Sequence, residues 1–354
     1  MMSSEKNYVS VPIQDGERVR RVLSDLGLLD GACRIISENG ILYLPLVAEV
    51  SREDVHKHAE DVQLEIGRRY FDATIQGPRT LEEALEGRLP NDKLVLLPRA
   101  YDLIGDIAVL EIPDELEGFS KLIGSAFHAM HQNFRTVLAK KGAVSGVTRI
   151  RQYNLLSGDD RSKTIHTEYG CRLVVDLEKA YFSPRLLEEH NRIAQLVQEN
   201  ELVVDMFCGV GPFAIHIARQ KRARVFAIDV NPYAIELLRE SITLNKLVGE
   251  IVPIVADAHD YVKNEETCVS RVIMNHPSGA SDFIPDACGI LKPGGTIHYY
   301  DFISGEDPER IMTNKIQRLI EQAGHSVRQV SLVRRVRDSA PHEYQMVADI
   351  IIRE

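Results

Sequence analysis

The chain makes sparse use of cysteine. Its five cysteines, Cys33, Cys171, Cys208, Cys268 and Cys288, are scattered, odd in number and form no Cys-x-x-Cys pair. That pattern argues against a disulfide framework or a zinc-binding ligand set, and no metal is expected. There is no basic excess either. The net charge is −10 and the pI near 5.7. An acidic chain has no global pull toward nucleic acid, so any polyanion site must be a local basic patch. No apolar signal core follows the opening Met-Met-Ser-Ser-Glu-Lys, and no stretch is long enough to span a bilayer. A soluble cytoplasmic protein without membrane contact is expected. Internal repeats and low-complexity segments are also missing. What is present is length and core: 354 residues suit two or three domains, and 44% hydrophobic content supports real cores.

The chain is organised around Val203 to Gly211, Val-Val-Asp-Met-Phe-Cys-Gly-Val-Gly, followed by Pro212. A strand-like apolar run ends in a glycine turn, and a helix opens at a proline suited to the first helical position. Gly209 and Gly211 permit a tight turn and close ligand approach. Asp205 and Phe207 precede them, and Ala214 completes a G-x-G-x-x-G/A spacing. Asp229 ends the next apolar run about 20 residues on, where a ribose-binding carboxylate is expected. Asp-x-Phe-x-Gly-x-Gly resembles motif I of the class I S-adenosylmethionine-dependent methyltransferases. An acid before the glycines suits a cationic amino-acid tail, and a second acid suits a ribose.

Taken in order, residues 8–68 read as a small α/β unit. Strands are expected at Val9–Ile13 and Ile41–Val47, and helices at Glu17–Leu26 and Arg52–Glu65. Residues 72–92, broken by Gly77-Pro78, Gly87 and Pro90, read as a junction. Residues 93–178 form a second α+β unit. It has a strand at Asp106–Ile112, a helical pattern over Asp114–Leu138, and strands at Thr148–Asn154 and Arg172–Asp176. Arg149 and Arg151 alternate onto one face of such a strand, with Lys140, Lys141, Arg161, Lys163 and Arg172 nearby. They are either ordinary surface charge or the local basic patch. From 179 to 354 the pattern is β-α repeating, which implies a mostly parallel sheet with helices on both faces. Two late strands, Val327–Val336 and Tyr344–Ile352, are expected as an antiparallel edge pair.

Ligands in such sheets bind beyond the carboxyl ends of the strands. Asp205, Asp229, Asp257 and Asn275 all stand there. Asp229 with Val230 and Asn231, and Asp257 with Ala258, are expected beside a bound cofactor. Asp257 could accept from an adenine amine, or simply end its strand. Asn275-His276-Pro277 resembles the Asn-Pro-Pro segment with which amino-group and nucleobase methyltransferases orient a target nitrogen. Ser278 stands where the DNA class carries an aromatic.

Tyr181-Phe182-Ser183-Pro184-Arg185-Leu186-Leu187-Glu188-Glu189-His190 narrows the resemblance. With the glycine motif and Asn275-x-Pro277, the chain resembles the tRNA (guanine-37, N1) methyltransferases of archaeal and eukaryal type. The likeness extends to the small N-terminal domain, the Tyr101–Asp106 run and the Ser339-Ala340-Pro341 loop. It implies a Rossmann-like class I methyltransferase domain (179–354) preceded by two smaller α+β domains, a tRNA-shape domain (1–68) and an RNA-binding domain (93–178). It also implies S-adenosylmethionine as cofactor, with Asp205, Phe207, Gly209, Gly211, Asp229, Val230, Asn231, Asp257, Ala258, Asn275 and Pro277 around it. tRNA is the implied partner, met at the anticodon loop and outer corner by a monomer. Position by position, the family's base falls on Glu189 and its guanine-contacting arginine on Arg149, with Tyr181, Arg185 and Asn275 completing the pocket. Glu188 adjoins Glu189, so this assignment rests on spacing alone. His276 and His190 stand where the family carries leucine and commonly arginine.

The residue types suit the chemistry. Guanine N1 becomes a nucleophile when its proton leaves, a carboxylate can take that proton, and an arginine can stabilise charge growing toward O6. Two other readings remain open: aminocarboxypropyl transfer to a modified guanosine, disfavoured by the Asn-x-Pro pair, and a non-catalytic cofactor-sensing RNA-binding protein.

Overall fold

Alternation in the first strand explains the N-terminal sheet. In a computed structural model, Ser3–Pro12 pairs antiparallel with both Ile41–Pro45 and Glu65–Asp72. Val9 and Val11 face a core with Val19 and Leu23 of the helix Gly16–Asp25. Ile36–Glu38 completes four strands. The structure describes residues 3–51, 55, 57–58, 62–73, 77–145, 150–264 and 268–353. Half of the helix expected at Arg52–Glu65 lies outside these residues; residues 62–64 are not helical, and Glu65 begins a strand that carries the sheet past residue 68. Two compact units result, residues 1–84 and 85–354.

In the second unit, four strands run in the order Tyr101–Ile104, Ile107–Leu110, Thr136–Ser145, Ile150–Gly158. The helical pattern expected over Asp114–Leu138 ends early. The helix Ser120–Met130 stops, and Thr136–Ala139 pairs parallel with Ile107–Leu110. Helical spacing persisted in the apolar residues, but the run Thr136-Val137-Leu138-Ala139 fills a buried strand position instead. Lys163–Glu168 is a strand that its polar sequence disguised. It pairs with Cys171–Asp176 across a turn where Tyr169 and Gly170 both have positive φ.

The large sheet has seven strands in the order Glu250–Val255, Arg224–Asp229, Leu202–Asp205, Val269–Met274, Leu291–Ser304, Glu343–Ile352, Val327–Ala340. The first five are parallel and the last two add antiparallel, as expected for a class I methyltransferase sheet. Leu291–Gly295 belongs to the fifth strand although Pro293-Gly294-Gly295 are turn-type residues. Both faces are covered, one core holding Ile215, Ile217 and Leu238, the other Ile284, Met312 and Ile316. Strands buried on both faces read as continuous apolar runs, which is why Val203-Val204 was legible.

Three helices that begin at the carboxyl edge of the sheet have a local start signal. Gly211 is the left-handed cap before Pro212. Asn231 accepts from Tyr233 N at 3.0 Å, and Asp257 from His259 N at 2.8 Å. Such caps contribute about 1 kcal/mol each. They also fix the loops that carry the site.

Candidate active site

The glycine turn is held from across the sheet. Gly209 and Gly211 have φ of +55° and +76°. A Cβ on Gly211 would stand 2.3 Å from Leu238 Cδ1, so this glycine serves the packing of one helix against the next. Asp229 Oδ2 accepts from Gly209 N at 2.7 Å, and its Oδ1 from Asn231 N at 2.8 Å. Burial raises the Asp229 carboxyl above its ordinary range, with the two amides opposing.

A cleft opens over this turn. Its walls include Phe207, Gly209, Asp229, Val230, Asn231, Asp257, Ala258, Asn275 and Pro277, all expected beside a cofactor. Phe207 packs 5.0 Å, centroid to centroid, from both His276 and Phe283, giving an apolar slot for a flat ring. Asp205 and Gly211 are not among the lining residues. Asp205 is fully buried beneath the turn, and neither carboxylate oxygen has a hydrogen-bond partner among the described residues. Burial pushes its carboxyl up to about 8; the Phe207 amide opposes this weakly from outside hydrogen-bond geometry, and Asp229 reinforces it. An orphaned buried carboxylate under a glycine turn is the environment that a cationic amino-acid tail would relieve. These residues therefore fit S-adenosylmethionine.

A second cleft adjoins the first and shares Tyr181, Phe302 and Arg337 with it. It is lined by Lys140, Arg151 and Arg185, with Asp102 and Glu111. Arg185 Nε donates to Asp102 Oδ1 at 2.7 Å, and Lys140 lies 3.1 Å from Asp102 Oδ2. Burial would raise the Asp102 carboxyl, but Arg185 and Lys140 hold it below its ordinary value. Asp102 thus fixes the direction of both cations. This is a local basic patch on an acidic chain.

The structure brings together Tyr181, Arg185 and Asn275 around the two clefts but leaves Glu189 out. Glu189 is buried and lines neither cleft. Tyr300 OH donates to its Oε2 at 2.8 Å, Arg192 at 2.9 Å, and Arg334 donates to its Oε1. Arg192 also reaches Asp349 at 2.6 Å, and Asp349 holds His298. Glu188 is exposed and accepts from Tyr169 OH. Arg149 lies outside the described residues.

Several lining residues escaped sequence reasoning, three of them together. Phe302, Gln345 and Arg337 are partners in register across three neighbouring strands, and all line the first cleft. The available signal was a glutamine interrupting the apolar run after Tyr344. Apart from the clefts, Glu168, His190 and His216 place ligand-type atoms within 4.8 Å of one another. His190 Nδ1 bonds Glu168 Oε2 at 2.7 Å. Burial would raise the Glu168 carboxyl, but the surrounding imidazoles hold it far below its ordinary value.

Comparison with known proteins agrees with this geometry. Residues 164–333 match the TRM5/TYW2 methyltransferase domain, 81–161 the TYW2 N-terminal domain, and 9–54 the tRNA methyltransferase 5 N-terminal domain. The tRNA (guanine(37)-N(1))-methyltransferase Trm5b of Pyrococcus abyssi is 38% identical over 342 residues, covering 96% of this chain and 97% of the relative. Trm5b of Methanocaldococcus jannaschii is 37% identical, covering 96% of each. The crystal structure of Pyrococcus abyssi Trm5b matches with a TM-score of 0.73 and 36% identity, over 99% of this chain and 100% of that one. A complex of aTrm5 with tRNALeu matches with a TM-score of 0.71 and 35% identity, over 98% and 99%. With its glycine turn, its paired clefts and this similarity along nearly the whole length, the chain belongs to the tRNA (guanine-37, N1) methyltransferases of archaeal and eukaryal type.

Proposed function

We propose that the chain transfers the methyl group of S-adenosylmethionine to N1 of guanosine 37 of tRNA, beside the anticodon. One observation carries the reading. The acid-floored cleft and the cationic cleft share Tyr181, Phe302 and Arg337 as a common wall, with Asn275-x-Pro277 on the cofactor side. When bound, the cofactor supplies an activated methyl group, and the chain's residues bind, orient and deprotonate the base.

Asp229 and Asp257 hold the nucleoside part of the cofactor, and Asp205 lies beneath the glycine turn that meets its cationic tail. Tyr181 packs at the junction of the clefts. Arg185, directed by Asp102, meets the substrate. Arg149, by its family position, stabilises charge at O6. Glu189 takes the N1 proton, and for that role its Arg334 side must open when tRNA binds. The small N-terminal unit reads the outer corner of tRNA, and the enzyme works as a cytoplasmic monomer. The test is methyl incorporation into transcript tRNA. Guanosine at position 37 should be methylated and adenosine at the same position should not. Equal incorporation into both would reject the assignment.

A further inference from the structure

Gln345 is buried, at 1% exposure, in a site otherwise open to ligand. Arg337 Nε donates to its Oε1 at 2.7 Å, and Arg337 also donates to Ser183 Oγ at 3.3 Å. On its other side Gln345 Nε2 donates to Asn275 Oδ1 at 3.4 Å. A guanidinium has donors and no acceptor, so the glutamine must turn its carbonyl toward Arg337. Its NH2 is then the end that faces Asn275. An NH2 group cannot accept, so Asn275 must meet it with Oδ1. The charge of Arg337 thereby sets the direction of two amides in series, and the NH2 of Asn275 is the end left for the cleft.

That direction matters for the reaction. Before deprotonation, guanine presents N1–H and N2–H donors, which an amide carbonyl would hold. After deprotonation, negative charge spreads over N1 and O6, which an amide NH2 would hold. A donor-first Asn275 therefore favours the base after proton loss more than before it, which is the kind of interaction that raises a rate rather than an affinity.

We propose that Gln345, polarised by Arg337, is a positioning residue that keeps the Asn275 NH2 directed at the target guanine. This rests on the reading that guanosine 37 is methylated here, and it goes beyond it by naming what orients the asparagine. Two substitutions separate polarity from packing. Gln345→Glu cannot donate to Asn275, and it accepts from Arg337 and from the Asn275 NH2 alike, so it turns the asparagine round. Gln345→His retains one acceptor for Arg337 and one N–H for Asn275.

The experiment measures single-turnover methylation at saturating cofactor and tRNA, together with the affinity for each. Gln345→Glu should slow methyl transfer by about tenfold or more, the scale of one oriented hydrogen bond, with tRNA and cofactor affinities within about twofold. Gln345→His should recover most of the rate. A near wild-type rate for Gln345→Glu, an equal loss in both variants, or a loss confined to affinity would overturn the proposal. A second readout needs no turnover. In free protein labelled with 15N-asparagine, with the signal assigned through Asn275→Asp, the Asn275 NH2 should exchange with solvent. In Gln345→Glu it should become protected, and unchanged exchange would overturn the proposal even if the wild type methylated no guanosine.

Discussion

The carboxylate of Asp229 holds the backbone N–H of Gly209 at 2.7 Å, so the residue expected to bind the cofactor's ribose also shapes the turn beneath it. Losing hydrogen bonds to a charged group costs about 1.5–3 kcal/mol. Asp229→Ala should weaken cofactor binding by about tenfold or more, measured by calorimetry. Unchanged affinity would place the ribose elsewhere.

Asp205 gives a pH prediction with a definite sign. Its carboxyl is raised to about 8 by burial, against about 3.9 in an unfolded chain. Between those values the folded protein keeps a proton that the unfolded chain has released. Stability contributed by this group therefore falls as pH rises through the window, and the loss is complete above about pH 8. Asp205→Asn removes the titration. Urea midpoints of variant and wild type should be close near pH 4 and diverge by about pH 8, with the variant the more stable. Parallel profiles across that range would show that Asp205 is not protonated in the cofactor-free fold.

Glu189 carries the proposed proton transfer despite its burial among Arg192, Arg334 and Tyr300. Glu189→Gln should slow single-turnover methylation by about 10²-fold or more, within the range of a lost base. The loss should shrink at high pH, where guanine ionises unaided. Glu188→Gln, altering an exposed residue, should do much less. If Glu189 serves only to hold its three donors, the loss will not depend on pH, and thermal stability will fall with it.

The small N-terminal unit is expected to act on RNA alone. All the cleft residues named above belong to residues 85–354. Removing residues 1–84 should leave cofactor affinity intact and reduce the preference for whole tRNA over an anticodon stem-loop, read by competition. Loss of cofactor binding on truncation would show that the unit supports the catalytic fold.

What was legible in the sequence follows from local physics. Val203 to Pro212 announces itself because strand, turn and helix start each carry their own residue preferences, and Asn231-Pro232 does the same for the next helix. Asp257 was legible as a strand-end acid, and the structure adds that it caps the following helix. Lys163–Glu168 was not legible, because its strand character comes from pairing with Cys171–Asp176 rather than from its own alternation. Arg337 and Gln345 were hidden for the same reason. They reach the cleft only through the register of three strands that are joined late in the chain. The burial of Glu189 was also invisible, since Arg334 and Tyr300 are distant in sequence and lie on other strands.

The most direct test of methyl transfer to guanine N1 uses cofactor labelled on its methyl group and, separately, on its carboxyl group. Each is incubated with transcript tRNA, which is then digested to nucleosides and mapped by position. The account predicts that methyl label enters the RNA, carboxyl label does not, and the labelled product is 1-methylguanosine from position 37. Carboxyl label in the tRNA, methyl label on another nucleoside, or no transfer with intact cofactor binding would contradict it.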